Sequence, residues 1–119
     1  MSDEPNEPLH RNEILLLGRL SAPAETRTLP SGDEIASFRL VVSRPATSTR
    51  GGHGRREPTI DTLECAATSA VLRRRVLGWA PGDVVEVHGA LRRRFWRGAQ
   101  GVMSKCEVHV VGARRVRRA

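Results

Sequence analysis

The sequence predicts an all-β domain with one helix, its five strands rolled into a barrel. Three observations carry that prediction. Short runs of alternating apolar and polar residues recur between Pro- and Gly-rich turn signals. A single stretch, residues 69–78, has helical spacing with a cap residue at each end. That stretch falls between the third and fourth strand-like runs, and at 119 residues the chain is sized for one core and no independent second domain.

Residues 1–11 hold Pro5, Pro8 and several acids without periodicity, and are expected to be a mobile acidic arm. The first strand, Ile14-Leu15-Leu16-Leu17-Gly18-Arg19-Leu20, ends before Pro23 and is followed by a turn at Pro30-Ser31-Gly32-Asp33. From Ile14 to Leu17 both phases are apolar. One phase fills the core, so the other needs cover, and a second copy of the chain supplies it most simply; the expected assembly is a homotetramer, with a dimer as the variant.

In the second strand Ala36, Phe38, Leu40 and Val42 alternate with Ser37, Arg39 and Ser43 until Pro45 stops the pattern. Residues 45–58 form a long basic loop carrying Arg50, Arg55 and Arg56 among Gly, Ser and Thr. These arginines either embrace a polyanion or keep the loop soluble. The third strand runs from about Thr59 to Thr68, with Leu63, Cys65 and Ala67 facing in and Thr62, Glu64 and Thr68 facing out. Ser69 then caps a helix that turns Leu72 and Val76 inward and Arg73 to Arg75 outward, and Gly78 ends it. Trp79 follows as a lid on the core. A turn at Ala80-Pro81-Gly82-Asp83 opens the fourth strand, residues 97–101 turn the chain back, and a fifth strand with Val102, Cys106, Val108, Val110 and Val111 dissolves into Arg114-Arg115-Val116-Arg117-Arg118. The folded domain is thus expected over residues 12–113, with a basic end over 114–119.

The fourth strand carries the chemistry. Successive strand side chains point to opposite faces, so Val85, Val87, Leu91 and Phe95 form a core face, while His88, Arg92, Arg94 and Trp96 form the other. Guanidiniums beside one indole supply phosphate charge and a stacking platform, the two ingredients of single-strand binding. Trp96 alternatively packs at a subunit interface. Phe38 and Phe95 share phase with aliphatic neighbours and are expected in the core.

Charge supports the same reading. The net charge is +7, and residues 92–119 carry nine cations against Glu107 alone, whereas residues 1–13 carry Asp3, Glu4, Glu7 and Glu13 against Arg11. A polyanion bound around the C-terminal half fits this asymmetry. The near-absence of lysine, with Lys105 the single one, follows largely from G+C-rich codons. Arg39, Arg92, Arg94, Arg97, Arg114 and Arg115, the loop arginines Arg50, Arg55 and Arg56, and Trp96 are the candidate contacts.

The strand, strand, strand, helix, strand, strand order is that of the oligonucleotide-binding barrel. From about Asn12 to Val116 the chain resembles the bacterial single-stranded DNA-binding protein family. The resemblance rests on Asn12 with Leu17-Gly18-Arg19-Leu20, on Pro30-Ser31-Gly32 with Ile35-Ala36-Ser37-Phe38-Arg39-Leu40, on residues 81–89, and on Leu91-Arg92-Arg93-Arg94-Phe95-Trp96. It implies a homotetramer that wraps single-stranded DNA without reading sequence, in replication, recombination or repair, at the nucleoid. The family commonly places aromatics where this chain has Ala46, Thr62 and Thr68, and retains only Trp96 here. Its replicative members end in an acidic tail that recruits partner proteins; this sequence ends on basic Arg117-Arg118-Ala119, so the resemblance is to tail-less accessory members, without partners recruited through such a tail. Two other readings stay open: a primosomal-type bridging protein on the same barrel, and an RNA-binding barrel.

Enzymatic readings lack parts. His10, His53, His88 and His109 are scattered, no carboxylates are paired across a cleft, no Gly-rich phosphate loop opens a helix, and Asp61 and Asp83 read as strand and turn residues rather than metal ligands. No cofactor is expected. Cys65 and Cys106 lack CxxC spacing and read as reduced core residues rather than a disulfide or metal pair. Without an apolar run of 18 residues or a basic-then-apolar start, neither a membrane span nor a secretion signal is expected, which leaves the cytoplasm.

Overall fold

A computed structural model describes residues 9–45 and 59–119. The expected arm over 1–11 and the loop over 45–58 fall mostly outside the described residues. In chain order the elements are β1 (Ile14–Leu20), β2 (Glu25–Thr28), β3 (Glu34–Ser43), β4 (Ile60–Ala67), α1 (Ala70–Leu77), β5 (Val84–Gly98) and β6 (Gly101–Arg117). The sheet order is β1-β5-β6-β4-β3-β2, and a further β1–β3 pairing at Arg19↔Val41 and Leu20↔Leu40 joins its ends. Five strands, β1, β3, β4, β6 and β5, therefore close a barrel. Closure needs β1 to cross tightly under β3, and Gly18 permits it: a Cβ there would collide with the Val41 carbonyl.

The core is the inward phase of these strands. Leu20, Phe38, Leu40, Cys65, Val85, Val87, Val108 and Val110 are buried together. Helix α1 closes one end: the Ser69 hydroxyl accepts the Leu72 N–H at 3.1 Å, and Leu72 and Val76 turn inward. Trp79 then packs edge-on against Phe38, ring centroids 5.6 Å apart at 84°, as the expected lid. Of the helix arginines, Arg73 meets Glu34 and Arg75 donates to the Ala113 carbonyl at 2.8 Å, so two of the three tie the helix to the barrel instead of merely facing water.

The structure corrects the sequence reading in three places. Strand β2 was not expected; all four of its residues are exposed, so no apolar phase announced it, and it is held by pairing with β3 from Glu25↔Ser37 to Thr28↔Glu34. Strand β6 does not dissolve after Val111 but continues to Arg117, opposite Val84. A bulge explains how: His88 faces Gly112 and Gly89 faces Val110, which leaves Val111 without a partner and moves the inward phase to Ala113. Third, Leu91, Phe95 and Cys106 are not in the core. Phe95 is 64% exposed and Cys106 is exposed, because the β5–β6 hairpin runs past the end of the barrel. Cys65 is buried as expected, and loss of hydration pushes its thiol up to about 12, an unreactive thiol.

Asp83 is the one buried charged residue among those described. Its carboxylate accepts N–H bonds from Ala80 and Ala119, each at 2.9 Å, and meets Arg115 at 3.4 Å. Those backbone donors, Ala80 first, hold its carboxyl below the ordinary value. It is a turn clamp. Among the described residues no cluster of three or more metal-ligating side chains occurs, and no helix is long and apolar enough to cross a membrane.

Candidate nucleic-acid interface

The site begins where β5 leaves the barrel. Asn12 behaves there like an extra strand residue: its side-chain Nδ2 donates to the Leu91 carbonyl at 2.7 Å, and its Oδ1 accepts the Leu91 N–H at 2.9 Å. Beyond this point β5 and β6 form a free two-stranded ribbon that turns at Gly98–Gly101. Paired residues share a face. One face carries Arg92↔Glu107, Arg94↔Lys105 and Trp96↔Met103; the other carries Arg93↔Cys106, Phe95↔Ser104 and Arg97↔Val102.

The Trp96 face continues onto the outside of β4 and β3. Parallel pairing of β4 with β6 sets Cys65 level with Val108, so Glu64 falls level with Glu107 and Lys105 lies two residues further along the same face; antiparallel pairing sets Glu64 opposite Arg39. Lys105 donates a hydrogen bond to Glu64, Arg39 lies 3.5 Å from the same carboxylate, and Arg94 lies 3.6 Å from Glu107. The Lys105 bond, with Arg39 and Arg27 adding to it, holds the Glu64 carboxyl below its ordinary value against partial burial. The Arg94 guanidinium also sits over the Trp96 ring, 5.6 Å from its centroid, and Trp96 is 40% exposed. A groove of about 300 Å³ runs alongside, lined by Arg27, Ser37, Arg39, Glu64 and Lys105.

Of the residues expected from sequence, Arg39, Arg92, Arg94 and Trp96 thus share one continuous surface. Arg97 points to the opposite face of the ribbon. Arg114, 3.0 Å from Glu86, and Arg115, near Asp83, lie at the other end of β5 and β6 and do not join the group. Arg50, Arg55, Arg56 and Ala46 lie outside the described residues. Thr62 and Thr68 are exposed, threonines where the resemblance expected aromatics.

Sequence reasoning missed Lys105, Glu64 and Glu107 as members of the site. Met103, Lys105 and Glu107 alternate, so counting back from the turn would have set them opposite Trp96, Arg94 and Arg92. Glu64 had no such signal, since Lys105 reaches it across the parallel β4–β6 pairing.

A second exposed patch lies on the outside of β1 and β5. Leu15 is 69% exposed, Leu17 55% and Val111 60%, with Leu15 opposite His88 and Leu17 opposite Glu86. This is the outward apolar phase that the sequence said needs cover.

A closed five-stranded barrel with one helix before its last hairpin, and a cationic, tryptophan-bearing outer face, defines the class of oligonucleotide-binding barrels. Residues 11–117 match the Single-strand binding protein family, and the chain belongs to that family. It is 32% identical over 94 residues to single-stranded DNA-binding protein 1 of Staphylococcus aureus (strain COL), covering 76% of this chain and 51% of that protein. It is 29% identical over 90 residues to single-stranded DNA-binding protein A of Bacillus subtilis (strain 168), covering 76% and 49%. The chain spans about half the length of the curated relatives it matches. A solved Plasmodium falciparum SSB in complex with ssDNA shares the fold, with a TM-score of 0.72 at 18% identity over 95% of this chain and 99% of that one.

Proposed function

We propose that the protein binds and protects single-stranded DNA without reading its sequence, serving replication, recombination or repair in the cytoplasm at the nucleoid. The observation that carries this is the continuous surface from Arg39 through Glu64 and Lys105 to Arg94 and Trp96. Guanidiniums and the ammonium bind phosphates, and Trp96 stacks on a base. Glu64 and Glu107 keep the cations in place before a strand arrives and yield them when phosphates compete. With Thr62 and Thr68 in place of flat side chains, charge carries most of the affinity. Arg50, Arg55 and Arg56, the opposite-face Arg97 and the basic end with Arg114 and Arg115 would extend the track. The binding unit is the domain expected over 12–113 together with the rest of β6, to Arg117.

A homotetramer is the assembly we favour, with Leu15, Leu17 and Val111 as the patch that a second copy covers. Light scattering at micromolar concentration tests it: a monomer would sink the assembly, and a dimer would favour the bridging-protein reading. Binding itself is tested with oligo-dT of roughly 35 nucleotides, several barrels' worth at about 4–16 nucleotides each. Tryptophan fluorescence should be quenched, and affinity should fall steeply with salt. Trp96→Ala should weaken binding by about 1–3 kcal/mol per site. Unquenched fluorescence together with parental affinity of Trp96→Ala would remove Trp96 from the site, and tighter binding to oligo-U than to oligo-dT would make the strand RNA.

A further inference from the structure

The ribbon has a second face that the proposed binding surface does not use. Phe95 stands there 64% exposed and Val102 68% exposed, flanked by Arg93 and Arg97. These positions continue the phase of Val85 and Val87, which are fully buried in the barrel. Past Leu91 the barrel ends, and nothing among the described residues covers them.

Charge decides what kind of molecule fits this face. The ribbon's carboxylate, Glu107, sits on the Trp96 side, as does Glu64 beside it. On the Phe95 side both charged residues are arginines. Arg93 donates to the Ser104 hydroxyl at 3.0 Å, a neutral partner that leaves its charge uncompensated, and Arg97 has no ion pair among the described residues. An apolar protein partner would have to bury two guanidiniums without counter-charge, which is costly. A single strand supplies phosphates for both and a base for the phenyl ring.

We infer that the Phe95 face is a second stacking site for single-stranded DNA, so that the ribbon is gripped by nucleic acid on both sides. The inference rests on the function proposed above and deepens it. A strand crossing Trp96 and rounding the Gly98–Gly101 turn meets Arg97, Phe95 and Arg93 in that order on its return. The cationic strip is continuous around the tip because Arg97 follows Trp96 directly.

The test compares Phe95→Ala with Trp96→Ala on oligo-dT. Phe95→Ala should weaken binding roughly 5- to 150-fold per site, the range that one base–aromatic stack supports, and should reduce the nucleotides bound per barrel. It should leave the quenching of Trp96 at saturation unchanged. Moving the fluorophore gives an independent readout: in Trp96→Phe/Phe95→Trp, the new indole should be quenched by oligo-dT. Parental affinity of Phe95→Ala with no quenching of the moved indole, while Trp96→Ala still weakens binding, would overturn the second face and leave the first standing. If neither variant changed binding, the function proposed for the ribbon would fall with it. A change in oligomeric mass in Phe95→Ala at unchanged affinity would assign the face to a second copy of the chain and overturn the inference.

Discussion

Strand β5 reads the same in two places and behaves differently in each. From Val84 to Ala90 its alternation buries Val85 and Val87 completely; from Leu91 to Arg97 the same alternation leaves Leu91 45% and Phe95 64% exposed. The pattern specifies which way a side chain points, and the surrounding strands specify whether anything is there to meet it. In the barrel half, β1 and β6 flank β5 and helix α1 closes one end. In the ribbon half, β6 is its only neighbour.

The largest expected effect breaks the comparison at one residue type. Phe38→Ala, in the barrel beneath Trp79, should cost about 3–5 kcal/mol of stability, whereas Phe95→Ala, on the ribbon, should stay within about 0.5 kcal/mol. Urea denaturation of the two variants measures both, and comparable losses would mean that the ribbon is covered in solution. Next comes the boundary between the halves. Asn12→Ala removes two hydrogen bonds to Leu91, worth about 1–2 kcal/mol together at exposed sites. It should speed amide exchange in the ribbon while leaving Val85 and Val87 protected.

A smaller effect sharpens the electrostatic side. Glu64→Gln frees Lys105 and Arg39 for phosphate, so affinity for oligo-dT should rise and its salt dependence steepen, by about 0.7 in the log–log slope for each phosphate gained. A weaker, flatter response would mean that Glu64 positions the two cations more than it competes for them.

Acid gives the least dramatic difference and separates the halves again. Asp83, in the barrel half, titrates below its ordinary 3.8 because backbone N–H groups hold its charged form. A depressed carboxyl adds stability that is complete above its unfolded value and disappears as pH falls through the folded one. Thermal melts from neutral pH downward should therefore be flat until below about pH 4 and then decline. Asp83→Asn should flatten that acid limb, and an unchanged limb would place the acid sensitivity at other carboxyls such as Glu64, also held low.

How much of this was legible follows from the range of the forces involved. The helix could be read residue by residue, from the Ser69 cap to the Gly78 end, because caps and i, i+4 spacing act within a few positions. The Trp96, Arg94, Arg92 face was legible because alternation is local. Strand β2 was not, since Glu25 to Thr28 bury nothing and owe their shape to β3. Phe95 and Cys106 were misplaced because alternation carries no information about where the barrel ends. The Glu64–Lys105 contact depends on a parallel pairing between residues 43 positions apart, Cys65 and Val108, which no local signal encodes.

That same pairing carries a cost in chain closure. Loop closure over so many residues must be achieved before any contact between β4 and β6 rewards it, and barrels that depend on such contacts fold in roughly milliseconds to seconds. The β5–β6 ribbon, turning over Gly98 to Gly101, needs no distant partner and hairpins of this kind form in roughly 1–10 microseconds. The part of the molecule that reaches furthest from the core is therefore the part that costs least in loop closure, while the barrel depends on pairings whose partners lie far apart in the chain.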